Sequence, residues 1–157
     1  MRLDRHWFEQ NIPHHGRMCL LDEVMEWDAQ HIRCCSGTHR LPDHPLRANG
    51  RLGIACGIEY AAQAMAAHGA LAGGTVTGRT VTGKARPAAG FLAGLRDVRL
   101  RVLRLDDIPT DLICEAVLVA GDRSTALYEF ALWSEGQRLL SGRATVVFDA
   151  NTWVNIA

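Results

Sequence analysis

Residues Ile54 to Leu71 read Ile-Ala-Cys-Gly-Ile-Glu-Tyr-Ala-Ala-Gln-Ala-Met-Ala-Ala-His-Gly-Ala-Leu, a helix-length run that is apolar on every side. A helix with no polar face has to be covered all round by the rest of the chain. One carboxylate, Glu59, sits inside it. Burial disfavours the charged form of an acid, so the sequence predicts a raised Glu59 pKa and a side chain that can hold and donate a proton near neutrality. Gln63 lies one turn on along the same face, where it can hydrogen-bond or orient that acid. The plainer alternative is a buried Glu tied to a partner chain or a backbone amide. Length alone would admit a membrane span, but Ala and Gly dominate the run and Glu59, Gln63 and His68 interrupt it, so none is expected.

The covering material must come from a chain of 157 residues, which suits one domain able to bury a sizeable core without staples. Seventeen basic and seventeen acidic residues cancel, which argues against a general nucleic-acid binder. The five cysteines, with Cys34 and Cys35 adjacent, show neither an even disulfide framework nor paired Cys-x-x-Cys metal spacing. Reduced thiols in a cytoplasm are therefore expected, and no metal. The opening Met-Arg-Leu-Asp-Arg-His-Trp-Phe-Glu lacks the apolar core of a secretion signal.

The pattern around the apolar run is strand-like. Residues 18–27 and 30–37 read as a hairpin joined through Asp28-Ala29, and the aperiodic segment 38–53 reads as a loop entering the helix. Gly73 to Ala89, dense in Gly and Thr, reads as a connection, either a lid over a pocket or a spacer. Four further strands are expected over residues 91–105, 112–119, 126–133 and 139–148, with a turn at Gly121-Asp122-Arg123. An antiparallel sheet that follows one wholly apolar helix can bury it by curling around it. The expectation is an α+β, hot-dog architecture: one domain over residues 1–157, core about 11–148, with about six antiparallel strands around a long central helix.

Several motifs also carry a family resemblance. Ile12-Pro13-His14 followed by Met18-Cys19-Leu20-Leu21-Asp22-Glu23-Val24 resembles the opening of the 3-hydroxyacyl-acyl-carrier-protein dehydratases. Gly53 with Ile58-Glu59-Tyr60-Ala61-Ala62-Gln63 is similar to that family's central helix, and Phe91-Leu92-Ala93-Gly94-Leu95 with Val98-Arg99-Leu100 to its next strand. The likeness is greatest to the divergent branch associated with aryl polyene pigments, where such a chain can work beside a second hot-dog dehydratase. The resemblance implies elimination of water from a 3-hydroxyacyl thioester on acyl carrier protein, giving a trans-2-enoyl product without metal or cofactor.

That reaction needs a base for the C2 proton, an acid for the departing hydroxyl and donors for the thioester carbonyl. Glu59 is the expected acid. The helix start from Gly53 to Cys56 offers backbone N–H groups for the carbonyl oxygen, so Gly53, Cys56 and Gln63 are the expected substrate-binding residues. Histidine is the natural base. His44 opens His-Pro-Leu-Arg fifteen residues before Glu59, one residue longer than the family's pattern and with its Phe-Pro-Gly replaced by Pro45-Leu46-Arg47. His14 is the rival and His39 the third candidate. Cys56 is expected to be a small core residue rather than a nucleophile. Arg99, Arg101 and Arg104, with Lys84 and Arg86, could steer an acidic carrier protein, or could be ordinary solvating charge. By resemblance a homodimer or a hetero-oligomer with another hot-dog subunit is expected, with His of one chain meeting Glu of the other. An acyl thioesterase of the same fold and a non-catalytic subunit are the alternative functions.

Overall fold

A computed structural model of the chain describes residues 2–76 and 90–148, the side chains of 74–76 excepted. The first element is a short helix, α1 (Arg5–Asn11), which the sequence pattern did not lead one to expect. Asp4 starts it by accepting the N–H groups of His6 at 3.1 Å and Trp7 at 3.4 Å. Its Trp7 and Phe8 turn into the core edge to face.

The expected hairpin is present as β1 (Glu23–Trp27) and β2 (His31–Ser36). Asp28 closes it, its Oδ1 accepting the N–H groups of Gln30 and His31, both at 2.8 Å. After the loop and a 3-10 turn at Ile54–Cys56 comes α2 (Gly57–Val76), followed by β3 (Gly90–Leu100), β4 (Leu112–Gly121), β5 (Thr125–Ser134) and β6 (Gln137–Phe148). The six strands form one antiparallel sheet in the order β1-β2-β4-β5-β6-β3, packed on α2 as the hot-dog expectation required. The Gly- and Thr-rich connection begins later than expected, because α2 runs on to Val76. The remainder of the expected lid, with Lys84 and Arg86, lies outside the described residues.

Small residues bring α2 down onto the sheet. Ala61, Ala64 and Ala67 are wholly buried, and the first turn has no room for any side chain at Gly57: a Cβ there would lie 2.5 Å from Leu140 Cδ2 and 3.0 Å from Leu132 Cδ2. Further along, His68 is fixed between Tyr128 Oη of β5 (2.8 Å) and the Asp28 carbonyl (3.0 Å). Full coverage of the helix is not reached, however. Ile58, Glu59, Ala62, Ala66 and Ala70 form a half-buried stripe along one side of it.

Strand β3 is one of the sheet's two edges, opposite β1, and all of its residues are exposed. Five of them are large and apolar: Phe91, Leu92, Leu95, Val98 and Leu100. Its pairing with β6 slips between Arg96 and Arg99, where Asp97 takes a left-handed φ of 54°.

Candidate active site

The helix α2 and the loop after α1 bring two of the candidate residues together. His14 stands in the irregular stretch between α1 and the 3-10 turn Gly16–Met18, and Glu59 in the first turn of α2. His14 Nε2 lies 2.8 Å from Glu59 Oε1, with the two side chains 25% and 33% exposed. The pair is thus half-sheltered. Both residues belong to the same chain, so this contact needs no second copy.

Burial should have raised the pKa of Glu59, but the carboxyl is held below its usual value. The hydrogen bond from His14 is the largest influence, and it outweighs the opposing effect of burial; a second donor, Gln63, adds to the lowering. The expectation of a protonated resting Glu59 is therefore corrected: near neutrality it is a carboxylate. The reason is a residue 45 positions away in the chain, which the local apolar run could not reveal.

Gln63, expected beside the substrate, is fully buried and its amide is occupied by the protein. Its Oε1 accepts the Leu20 N–H at 2.8 Å, and its Nε2 donates to the Met18 carbonyl at 2.7 Å and to Glu59 Oε1 at 3.3 Å. It supports the carboxylate from behind.

His44, the favoured base, is elsewhere. It is 4% exposed, its Nδ1 accepts the Leu46 N–H at 3.0 Å, and its Nε2 lies 3.0 Å from Tyr60 Oη. Both ring nitrogens are engaged in the interior and neither bonds Glu59; burial lowers its pKa, favouring the neutral ring. The altered loop around it has the tight Pro45-Leu46-Arg47 turn that places Leu46 N–H on the imidazole. His39 is likewise buried, its Nε2 held by the Ile108 carbonyl at 2.9 Å, and it too stays clear of Glu59.

At the helix start the supply of free donors is smaller than expected. The Ile54 N–H already donates to the Leu103 carbonyl at 3.1 Å and the Cys56 N–H to the Gly53 carbonyl at 3.0 Å. Cys56 is half-buried, with its thiol pKa pushed up by that burial, which suits packing rather than attack. In the arginine group, Arg99 and Arg101 are exposed, whereas Arg104 is held by Asp106 and lies close to Asp107. Arg104 keeps the Asp106 carboxyl well below its usual pKa, and Asp106 in turn accepts the Leu52 N–H at 2.9 Å, bracing the entry to α2. No helix among the described residues is long and apolar enough to cross a membrane.

A cleft of about 280 Å³ lies beside Glu115, Glu129, Trp133 and Arg143 and includes neither His14 nor Glu59. Glu129 alternates along β5 with Tyr128, which bonds to α2, so the cleft is on the sheet face turned away from the helix.

The His14–Glu59 pair rests on the motifs that first suggested a dehydratase, and the same motifs fall within a wider match. Residues 7–154 fit the family described as ApeP-like, ApeP dehydratase. The chain belongs to the ApeP-like dehydratase family. Among solved structures, the ApeI:P dehydratase heterocomplex from Xenorhabdus doucetiae is similar over 98% of this chain and 97% of that one, with a TM-score of 0.79 and 23% identity. Zebra fish thioesterase superfamily member 2 covers 92% and 95%, with a TM-score of 0.59 and 15% identity. A hypothetical thioesterase with coenzyme A from Streptococcus pneumoniae TIGR4 covers 92% and 94%, at 0.56 and 11%. These likenesses establish the shared hot-dog fold. No curated protein matches the chain in sequence.

Proposed function

We propose that this ApeP-like chain removes water from 3-hydroxyacyl thioesters on acyl carrier protein, giving trans-2-enoyl products, with His14 and Glu59 as the reacting pair. The 2.8 Å contact between His14 Nε2 and Glu59 Oε1 carries the reading, because elimination needs two proton-handling groups within reach of adjacent carbons. The pair works with one shared proton. In its imidazolium–carboxylate form Glu59 takes the C2 proton, the C3–O bond breaks, and His14 gives its proton to the departing hydroxyl, which leaves as water. The proton on Glu59 then returns to His14 across their contact. The carboxylate state of Glu59 makes it the base and His14 the acid, the reverse of the roles expected from sequence.

The same reading gives β3 a role. Five exposed apolar side chains on an unpaired edge strand are a liability in a lone subunit, and pairing of that edge with another hot-dog subunit would cover them. The heterocomplex nature of the Xenorhabdus relative supports such a partner. Arg99 and Arg101 flank the strand's end and suit an acidic carrier protein. The free thiols fit a reducing, cytoplasmic setting.

Mass spectrometry of a 3-hydroxyacyl carrier protein incubated with the chain, alone and with its hot-dog partner, tests the reaction. The expected product is the carrier-bound chain lighter by one water, lost when Glu59 is replaced by Gln. Free acid and free carrier thiol without an enoyl thioester would instead establish a thioesterase. Turnover that needs this chain yet is indifferent to Glu59→Gln and His14→Ala would establish a non-catalytic subunit.

A further inference from the structure

The segment Met18 to Asp22 belongs mostly to no strand or helix, yet its backbone polar groups are gripped from several sides. Gln63 holds the Met18 carbonyl and the Leu20 N–H. Arg5 donates to the Cys19 carbonyl at 2.6 Å, and the Asp22 N–H donates to the Cys35 carbonyl at 2.9 Å. The Leu20 carbonyl accepts two hydroxyls, Ser36 at 2.5 Å and Thr38 at 2.7 Å. Thr38 Oγ1 lies 2.7 Å from Tyr60 Oη, which is 3.0 Å from His44 Nε2.

The proton directions in this row are fixed by its ends. His44 Nδ1 accepts from Leu46, so a neutral ring carries its proton on Nε2 and donates it to Tyr60. Thr38 gives its one hydroxyl proton to the Leu20 carbonyl, so Tyr60 must donate to Thr38. On the far side of Leu20 the backbone sets the Gln63 amide. Turning that amide over would set NH2 against the Leu20 N–H and oxygen against the Met18 carbonyl, leaving buried groups without partners. Only the present orientation points an N–H at Glu59.

We propose that Tyr60 is a positioning residue: through Thr38 and the clamped Leu20 backbone it keeps the Gln63 amide turned so that its N–H stays on Glu59. His44, displaced from catalysis, anchors the outer end of this row. The proposal rests on the reading of Glu59 and His14 as the reacting pair, but its test does not need turnover. Tyr60→Phe deletes one hydroxyl and keeps the ring. Without the Tyr60 hydroxyl Thr38 is free to turn from the Leu20 carbonyl, which then rests on Ser36 alone; the Gln63 contact slackens and Glu59 loses a donor, so the carboxyl titrates at higher pH.

The experiment follows the Glu59 side-chain carboxyl by carbon-13 NMR in wild type, Tyr60→Phe, Thr38→Val and Thr38→Ser. The expected result is the same upward shift in Tyr60→Phe and Thr38→Val, and a wild-type titration in Thr38→Ser, which restores the hydroxyl. In turnover, kcat should fall by about tenfold in the first two with KM unchanged, and the acid limb of its pH profile should move up. A purely structural Tyr60 would lower the melting temperature while leaving the Glu59 titration where it is in wild type, and that result overturns the proposal. Should Tyr60→Phe fail to fold, the two Thr38 variants decide the matter in its place, since they interrupt and restore the row at its next member. Glu59→Gln separates the two ideas: full turnover in that variant removes the catalytic reading, whatever the NMR titrations show.

Discussion

Replacing His14 by Ala should reverse the direction in which Glu59 is perturbed. In the native protein the carboxyl lies below its ordinary value of 4.5, and the ordered causes are the His14 hydrogen bond, then burial acting upward, then Gln63 acting downward. With His14 gone the leading cause disappears and burial outweighs Gln63, so the carboxyl should titrate above 4.5. The stability change is small by comparison. A charge-assisted hydrogen bond contributes roughly 1.5–3 kcal/mol when sheltered, and at 33% exposure of Glu59 solvent screening reduces this to about 1 kcal/mol. In a chain of this size that is a fall of roughly 2–4 °C in melting temperature. Catalysis should suffer far more, about 100-fold or greater in kcat, as expected for loss of a proton-transfer group. Carbon-13 NMR titration of the Glu59 carboxyl, a thermal melt and steady-state kinetics on one preparation read all three. A Glu59 titration that stays below 4.5 in folded His14→Ala would refute the account of the pair.

His44→Ala should show the opposite balance. It removes the acceptor of the Leu46 N–H and the donor to Tyr60 from a fully packed site, costing about 2–4 kcal/mol; melting should drop by roughly 5–15 °C, while kcat at low temperature falls much less than in His14→Ala. A melt unchanged from wild type would contradict this. Acid should destabilise the fold early, because His39, His44 and His68 are all buried with pKa values lowered chiefly by burial. The folded state then binds fewer protons than the unfolded one below about pH 6.5, so each residue removes up to about 1.4 kcal/mol per pH unit from there down to its folded pKa. The urea midpoint should therefore be lower at about pH 5.5 than at about pH 7; equal midpoints would count against buried neutral imidazoles. Finally, Leu95→Lys on the exposed edge strand should split the assembly with another hot-dog subunit, read by light scattering after gel filtration. An unchanged mass would place the interface elsewhere.

The fold was legible because its signals are local. A helix-length run apolar on every side marked α2, the Asp28 and Asp122 turns marked their hairpins, and strand-like runs between turn signals marked β3 to β6. The short helix α1 was not legible: seven residues with adjacent Trp7 and Phe8 make no period, and only the Asp4 cap signals it. Two members of the candidate pair were named from the sequence, but their contact was not. Glu59 and His14 were both singled out, but an apolar run around an acid says nothing of a histidine brought in by a distant loop. His44 looked catalytic by its spacing to Glu59, and the neighbour that claims it, Tyr60, stands one residue from the acid and points into the core instead.

Gly57 sets a dimension of the whole arrangement. With the Leu140 methyl only 2.5 Å from where a Cβ would stand, α2 packs against the sheet here without space for a larger residue, and Glu59 lies two residues on. A side chain at this point must push the Leu140 and Leu132 methyls aside or act as a shim that lifts the first turn of α2, and Glu59 with it, off the sheet. Redesign around Glu59 therefore has least freedom here, and an enlargement at residue 57 would have to be matched by trimming Leu140 and Leu132 together.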